Sequence, residues 1–457
     1  MKLTTALLLM FPLCATGQVP GSLTPAQIEE FKQNYTPLPS DRAIHNALNT
    51  ADINTLAANA NAAANFDNHF KYKVPSKGIT NQQRSGRCWL FTGLNVLRAQ
   101  AIRENDLPEL EFSQVYNFFY DQLEKSNMFL QCVIDTYELP MDDRKVEFIF
   151  KSPVTDGGQF TGVADNLMKY GVVPSSAMPE TYTSNHTSTF SRLLSLKLRQ
   201  WGLELRDMAA KGASTDALEK RKQEMLSQVY RLLTLAYGTP PQSFTYTRRD
   251  SKGEAVDTRS YTPQEFYQTM LGNDLHKDYV MLMNDASRPY YKLYEIDLNR
   301  HQYDGHNWTF INVPMDVIKE AALKSLKDST ALYFGCDVNK FLNRELGTLD
   351  LNNYNYDDLL GVDFSMDKAQ RVTTGSSAST HAMTLVGVDV DENERPTKWL
   401  IENSWGNGAN NGHLIATDPW MDEYLFRLVV NSKYLPKKVL KVLDTHPELL
   451  PAWDHMN

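Results

Sequence analysis

Cysteine is scarce in this chain, four residues in 457. That density excludes a disulfide scaffold, which small secreted domains use in place of a large core. Basic residues are in the minority, 46 Lys and Arg against 55 Asp and Glu, for a formal net charge of -9. A surface that holds nucleic acid needs clustered Lys and Arg against the phosphates, so no nucleic-acid partner is expected. Charged residues make up only 22% and form no long block of one sign. Hydrophobic residues supply 42% and aromatics 11%, enough apolar side chain for a substantial core. Disorder is thereby excluded for most of the chain. Internal repeats are absent, and the one biased stretch is an Ala/Asn patch at 57–65. At about 150 residues per domain, the length allows one large unit or about three ordinary ones.

Long apolar runs are missing as well, with one short exception. Lys2 precedes an apolar run from Ala6 to Cys14, and Ala15-Thr16-Gly17 follow. A charged start, a short apolar middle and small residues ahead of Gln18 give residues 1–17 the pattern of a secretory signal peptide. The run falls well short of the about 20 residues a membrane span requires. A lipid-modified Cys14 is the weaker rival, because Phe11-Pro12-Leu13 lacks the expected small residues. An exported chain, periplasmic or extracellular, without stable membrane insertion, is therefore expected.

From Gln18 to about Asn65 the sequence is polar, with one short helix suggested around Thr24-Pro25 to Phe31, and reads as an arm. Leu90, Leu94, Leu97 and Ala101 then recur at helical spacing until Asn105-Asp106-Leu107-Pro108. Ser85 is the expected N-cap, which puts Cys88 in the first turn. A second apolar-periodic segment, Ser113 to Met128, predicts a core helix rich in Tyr and Phe. Two helical stretches between Ser191 and Tyr237 break near Lys211-Gly212-Ala213-Ser214. Strand-like runs come late, at 331–334, 383–390, 398–401 and 413–416. Helices first and strands late indicate an α+β fold with the charged middle as an insertion.

Cys88 carries the first chemical signal. A thiol at a helix N-terminus beside a cation or imidazolium ionises more readily, and Arg87 adds positive charge. The bland alternative, a buried structural cysteine, is equally compatible with the local sequence. A thiol nucleophile needs a histidine base, itself oriented by a third polar group. His381 opens one apolar run, Asp391 to Pro396 form a break, and a second run leads to Asn403 and Trp405. Antiparallel pairing about that break sets His381 opposite residue 406, within a few residues of Asn403. The amide oxygen then accepts the ring N–H and aims the other nitrogen at a thiol. Asp156-Gly157-Gly158-Gln159 is either a tight turn or a place where a substrate backbone passes close to the two glycines. No metal centre is expected. Cys88, Cys132 and Cys336 are scattered, no His-Glu-x-x-His occurs, and His301 with His306 is a weak pair. Cys132 and Cys336 lie in apolar runs and are expected to be buried rather than bridged.

Gln82 to Phe91, Thr380 to Thr384 and Glu402 to Gly406 closely resemble the bleomycin hydrolase and aminopeptidase C branch of the papain-like cysteine peptidases. The resemblance continues through Tyr116–Asp121, Asp156–Gln159, Tyr170–Pro174, Phe334–Val338 and Leu450–Asp454. It implies a papain-like α+β fold over 18–457, with a helical subdomain and a β-barrel-like one. The core would lie at about 66–190 and 305–457, and a large helical insertion at about 191–304. By resemblance Cys88 is the nucleophile, His381 the base and later the acid, and Asn403 the residue that orients the imidazole. Trp405 shields that contact, and Gln82 supplies an oxyanion donor. It further implies peptide substrates, no cofactor, a homohexameric cage and a chain end, Asn457, lying in the substrate cleft. An aminopeptidase is the favoured activity. The short tail after Leu450–Asp454 leaves dipeptidyl or internal cleavage open, and an inactive oligomeric scaffold is the alternative of another class.

Overall fold

The computed structural model describes residues 19–62, 66–75 and 78–456. The expected signal peptide at 1–17 and the expected cleft residue Asn457 lie outside the described residues. The chain divides into two compact units, residues 1–58 with 356–362, and 59–355 with 363–457.

The first unit holds four described helices: Pro25–Asn34, Asp41–Leu48 and Ile53–Ala57, where the sequence suggested one, and the short Tyr356–Leu360. Thr24 and Gln27 cap the first reciprocally, with Pro25 at its start. Asp52 caps the third through the Asn54 N–H at 2.8 Å. Neither of the first two helices buries a residue, so no apolar period marked them in the sequence. Tyr356, on the short helix Tyr356–Leu360, donates to Asn54 Oδ1 at 2.7 Å.

In the second unit, helix Cys88–Glu104 begins at Cys88 itself and ends where the Asn-Asp-Leu-Pro break was expected. Ser85 does not cap it, because its hydroxyl donates to the Gln82 carbonyl at 2.6 Å. Leu90, Leu94, Leu97 and Ala101 are buried as their spacing predicts. Helix Gln114–Asp135 is capped by Ser113 and runs beyond Met128, since Phe129, Leu130, Cys132 and Val133 continue its buried face. Helices Ser188–Ala210 and Thr215–Tyr237 flank the expected break, with Gly212 at φ +82° and Ser214 capping the second.

Twelve described strands form one sheet. Its central strand, His381–Val390, lies between Leu332–Cys336 and Pro396–Glu402, antiparallel to both. The hairpin pairs as expected near its turn, Asp389 opposite Lys398. A bulge between Leu385 and Gly387 then shifts the register by one, bringing Thr384 opposite Glu402. The stretch assigned to a helical insertion is helical only in part. Its strands Tyr279–Met283 and Lys292–Ile296 belong to this sheet, the former pairing with Leu425–Asn431. A separate hairpin, Phe244–Arg249 with Ala255–Tyr261, lies between the long helices and those strands.

Two hydrophobic clusters result, one among the helices around Leu94, Phe118 and Leu198, the other on the sheet around Phe334, Trp399 and Leu428. The central strand serves both: Ala382 joins the helical cluster, Met383 and Leu385 the other, by strand alternation. Among the described residues no helix is long and apolar enough to cross a membrane.

Candidate active site

Three sequence segments supply the site. Cys88 is the first residue of its helix, His381 the first of its strand, and Asn403 follows the end of the Pro396–Glu402 strand. A buried ion pair, Arg98 to Glu402 at 3.0 Å, ties the Cys88 helix to the residue before Asn403. The same guanidinium donates to the Gly78 carbonyl at 2.9 Å.

The His381 Nε2 donates to Asn403 Oδ1 at 3.0 Å, which leaves Nδ1 for the Cys88 sulfur. Both His381 and Asn403 are buried, while Cys88 is partly exposed. Burial pushes the Cys88 thiol up. The hydrogen bond and charge of the His381 ring, with the N–H groups of Ala382 and Trp89, outweigh it and set the thiol below its ordinary value. Burial draws the His381 ring down, yet its contacts with Cys88 and Asn403 raise it above its ordinary value. The pair therefore favours thiolate with imidazolium. The Arg87 guanidinium is fully buried and paired with Glu180, at 2.9–3.0 Å. Trp405 stacks on the His381 ring with centroids 5.0 Å apart.

Gln82 is buried and held at both ends. Its Oε1 accepts from Ser404 Oγ at 2.7 Å, and its Nε2 donates to the Ser85 carbonyl at 2.7 Å, leaving one amide hydrogen. Gln82, Cys88, Gly157, Gly158 and His381 line one cleft of about 860 Å³. The two glycines differ. Open space faces Gly157, whereas a side chain at Gly158 would collide with the His301 ring at 2.2 Å. Neither has a positive φ. Lys125 holds this loop through the Thr155 and Gly157 carbonyls at 2.9 and 2.7 Å. Its other partner, Asp121, also receives His301 Nδ1 at 2.5 Å. Lys125, Ser404 and Arg98 had not been singled out in the sequence, and His301 had been weighed only as half of a weak metal pair with His306. The Asp121–Lys125 spacing of four on a core helix was the available signal.

Ala452, Trp453 and Asp454 line the same cleft. Arg288 grips Asp454 at 3.1 Å, His455 meets Asp285 at 3.0 Å, and Arg427 donates to the Met456 carbonyl. All three described cysteines are free; burial pushes Cys132 up to about 11 and Cys336 well above the ordinary range.

Residues 22–457 match the Peptidase C1-like family. The chain belongs to that family. Aminopeptidase C of Lactobacillus delbrueckii subsp. lactis is 36% identical over 94% of this chain and 96% of its own length. Human bleomycin hydrolase is 38% identical over 85% of this chain and 88% of its own length. The crystal structure of PepW from Lactobacillus rhamnosis HN001 superposes with a TM-score of 0.91 at 36% identity, covering 96% of this chain and 99% of that one. The fold is accordingly papain-like, and this member of the peptidase C1-like family is a cysteine peptidase of the bleomycin hydrolase and aminopeptidase C branch.

Proposed function

We propose that this peptidase removes residues from the free amino end of peptides, with Cys88 as nucleophile, His381 as acid and base, and Asn403 as the orienting amide. The observation that carries the reading is the hydrogen-bonded run from the Cys88 sulfur through His381 to Asn403, set in a cleft that Ala452–Asp454 help to line. The thiolate attacks the scissile carbonyl, and the developing oxyanion is met by the free Gln82 amide hydrogen and the Cys88 backbone N–H. Imidazolium His381 gives its proton to the leaving amine, and the C–N bond breaks to leave an acyl thioester. The neutral ring then takes a proton from water, whose oxygen attacks the thioester and releases the acid and the thiolate. The tail wall limits how far a substrate chain extends to one side of the sulfur, which favours removal of end residues. Aminopeptidases at 36–37% identity support the same choice. Export and a six-subunit assembly belong to this reading and rest on the amino-terminal pattern and the family resemblance.

The test compares fluorogenic peptides with free and with acylated amino ends. Rapid cleavage of the free-amine peptide alone is expected, and Cys88→Ala should abolish it with the fold intact by circular dichroism. Equal rates on both peptides would move the activity to internal cleavage. Full turnover by Cys88→Ala would remove the nucleophile.

A further inference from the structure

Away from the cleft, three residues from three separate elements converge on one point. Asp165 lies on helix Phe160–Tyr170, His276 on the four-residue helix Leu275–Asp278, and His306 in the loop before strand Thr309–Asn312. Asp165 Oδ1 is 2.9 Å from His276 Nε2 and 2.7 Å from His306 Nδ1, and the three atoms all lie within 4.8 Å of one another. The two rings sit close, with centroids 4.1 Å apart. Among the described residues this is the one group of three such side chains able to surround an ion. None of the three lines the Cys88 cleft.

We propose that Asp165, His276 and His306 form a binding site for a first-row divalent metal ion of the zinc type. Two imidazole nitrogens and a carboxylate oxygen suit zinc and its neighbours, whereas calcium and magnesium take sets built mainly of oxygen. The carboxylate is already aimed. Asp165 is buried, and its second oxygen accepts the His306 backbone N–H at 2.9 Å, the kind of outer contact that orients a metal-binding carboxylate. Gly305 makes this approach possible, since a side chain there would come within 2.5 Å of that oxygen. His306 is 65% exposed, so one side of the site opens to solvent and leaves a coordination position for water. Bonds of about 2.1 Å set tetrahedral donors roughly 3.4 Å apart, so the cluster opens by about half an ångström on loading. The exposed His306 ring can supply that movement. Without metal, both rings donate N–H to the shared oxygen; on binding, each proton moves to that ring's outer nitrogen through solvent, and no net proton is lost from neutral rings. A bound ion would join three elements that are distant in sequence and would stabilise their docking.

Because a thiolate beside an imidazole also coordinates zinc, the test uses the full-length Cys88→Ser protein. Zinc chloride titrated into it calorimetrically should bind one ion per chain at the cluster. His306→Ala and His276→Ala in that background should each weaken this event by about tenfold or more. Cobalt(II) should give visible bands of a low-coordinate nitrogen and oxygen site that disappear in His306→Ala, whose exposed position keeps the fold intact. Unchanged stoichiometry and affinity in the His276→Ala/His306→Ala double variant would place the ion elsewhere and overturn the proposal. Absence of zinc and cobalt binding to the folded parent at millimolar metal would overturn it too, leaving a hydrogen-bonded Asp–His–His cluster.

Discussion

The Asn403 amide oxygen accepts from two donors, the His381 ring at 3.0 Å and the Ser404 N–H at 2.8 Å, so its orientation is fixed from two sides. A hydrogen bond to the ring favours the charged imidazolium, which is the direction in which His381 is shifted. On the proposed mechanism the active form needs Cys88 ionised and His381 protonated. Activity then rises with pH through the lowered thiol and falls through the raised imidazole. Asn403→Ala removes one of the contacts that raise the ring, so the alkaline limb of kcat/KM should move to lower pH. The rate at the optimum should fall by about tenfold or more. An unmoved alkaline limb in the pH profile would argue against Asn403 as the orienting group. Ser404 links this contact to Gln82: its hydroxyl donates to Gln82 Oε1, and its carbonyl accepts the Gln82 N–H at 2.8 Å. Gln82→Ala should lower kcat by about 100- to 1000-fold, the cost of one oxyanion donor. Ser404→Ala should lower it only by about 5-fold, near 1 kcal/mol, by loosening that donor. Steady-state kinetics showing a rise in KM alone for both would assign the pair to ground-state binding.

Between elements, the Arg98–Glu402 pair fixes where helix Cys88–Glu104 stands against the strand that leads into Asn403. Both side chains are nearly fully buried, at 5% and 3% exposure, so the two charges depend on each other. Arg98→Met leaves the carboxylate without its guanidinium and should cost about 3–5 kcal/mol in urea unfolding, with Arg98→Met/Glu402→Leu recovering much of it. Equal stability of single variant and parent would show that this pair does not set the docking. The same elements explain what the sequence disclosed. The His381 hairpin was legible because two apolar runs flank a polar break, while its irregularities after Leu385 and after Asp389, which have no sequence mark, shifted its register. Helix Cys88–Glu104 was legible by its apolar period, but its start was not, since Ser85 turned out to bond back to Gln82. The strands at 279–283 and 292–296 were missed because sheet membership is a tertiary property: the first pairs with 425–431, and the second with 309–312 and 448–450. For the same reason spacing alone could not bring Lys125 and His301 to the glycine loop, or His276 and His306 to Asp165.

Within the second unit, the cleft takes its walls from segments spread between Gln82 and Arg427, and its last wall from residues near the end of the described structure. Ala452–Asp454 stay there because several charged contacts hold the segment. Arg288 reaches both Asp454 oxygens at 3.1 Å and Asp285 at 2.6 Å, while Asp285 also meets His455. Burial opposes the Asp285 charge, but His455, Ser287 and Arg288 together draw its carboxyl down to about 2, so it stays ionised over the working pH range. If this wall makes the enzyme select a free amino end, weakening its anchor must relax selection before it harms chemistry. Arg288→Ala should reduce the free-to-blocked ratio of kcat/KM by about tenfold, roughly 1.4 kcal/mol. Most of the change should come from faster cleavage of blocked peptides, with Cys88 labelling by a thiol alkylator unaltered. Truncation after Pro451 should carry the ratio further in the same direction. If both variants keep the parent's ratio while remaining folded and alkylatable, residues 452–456 are only packing, and selection for the amino end must come from another wall of the cleft.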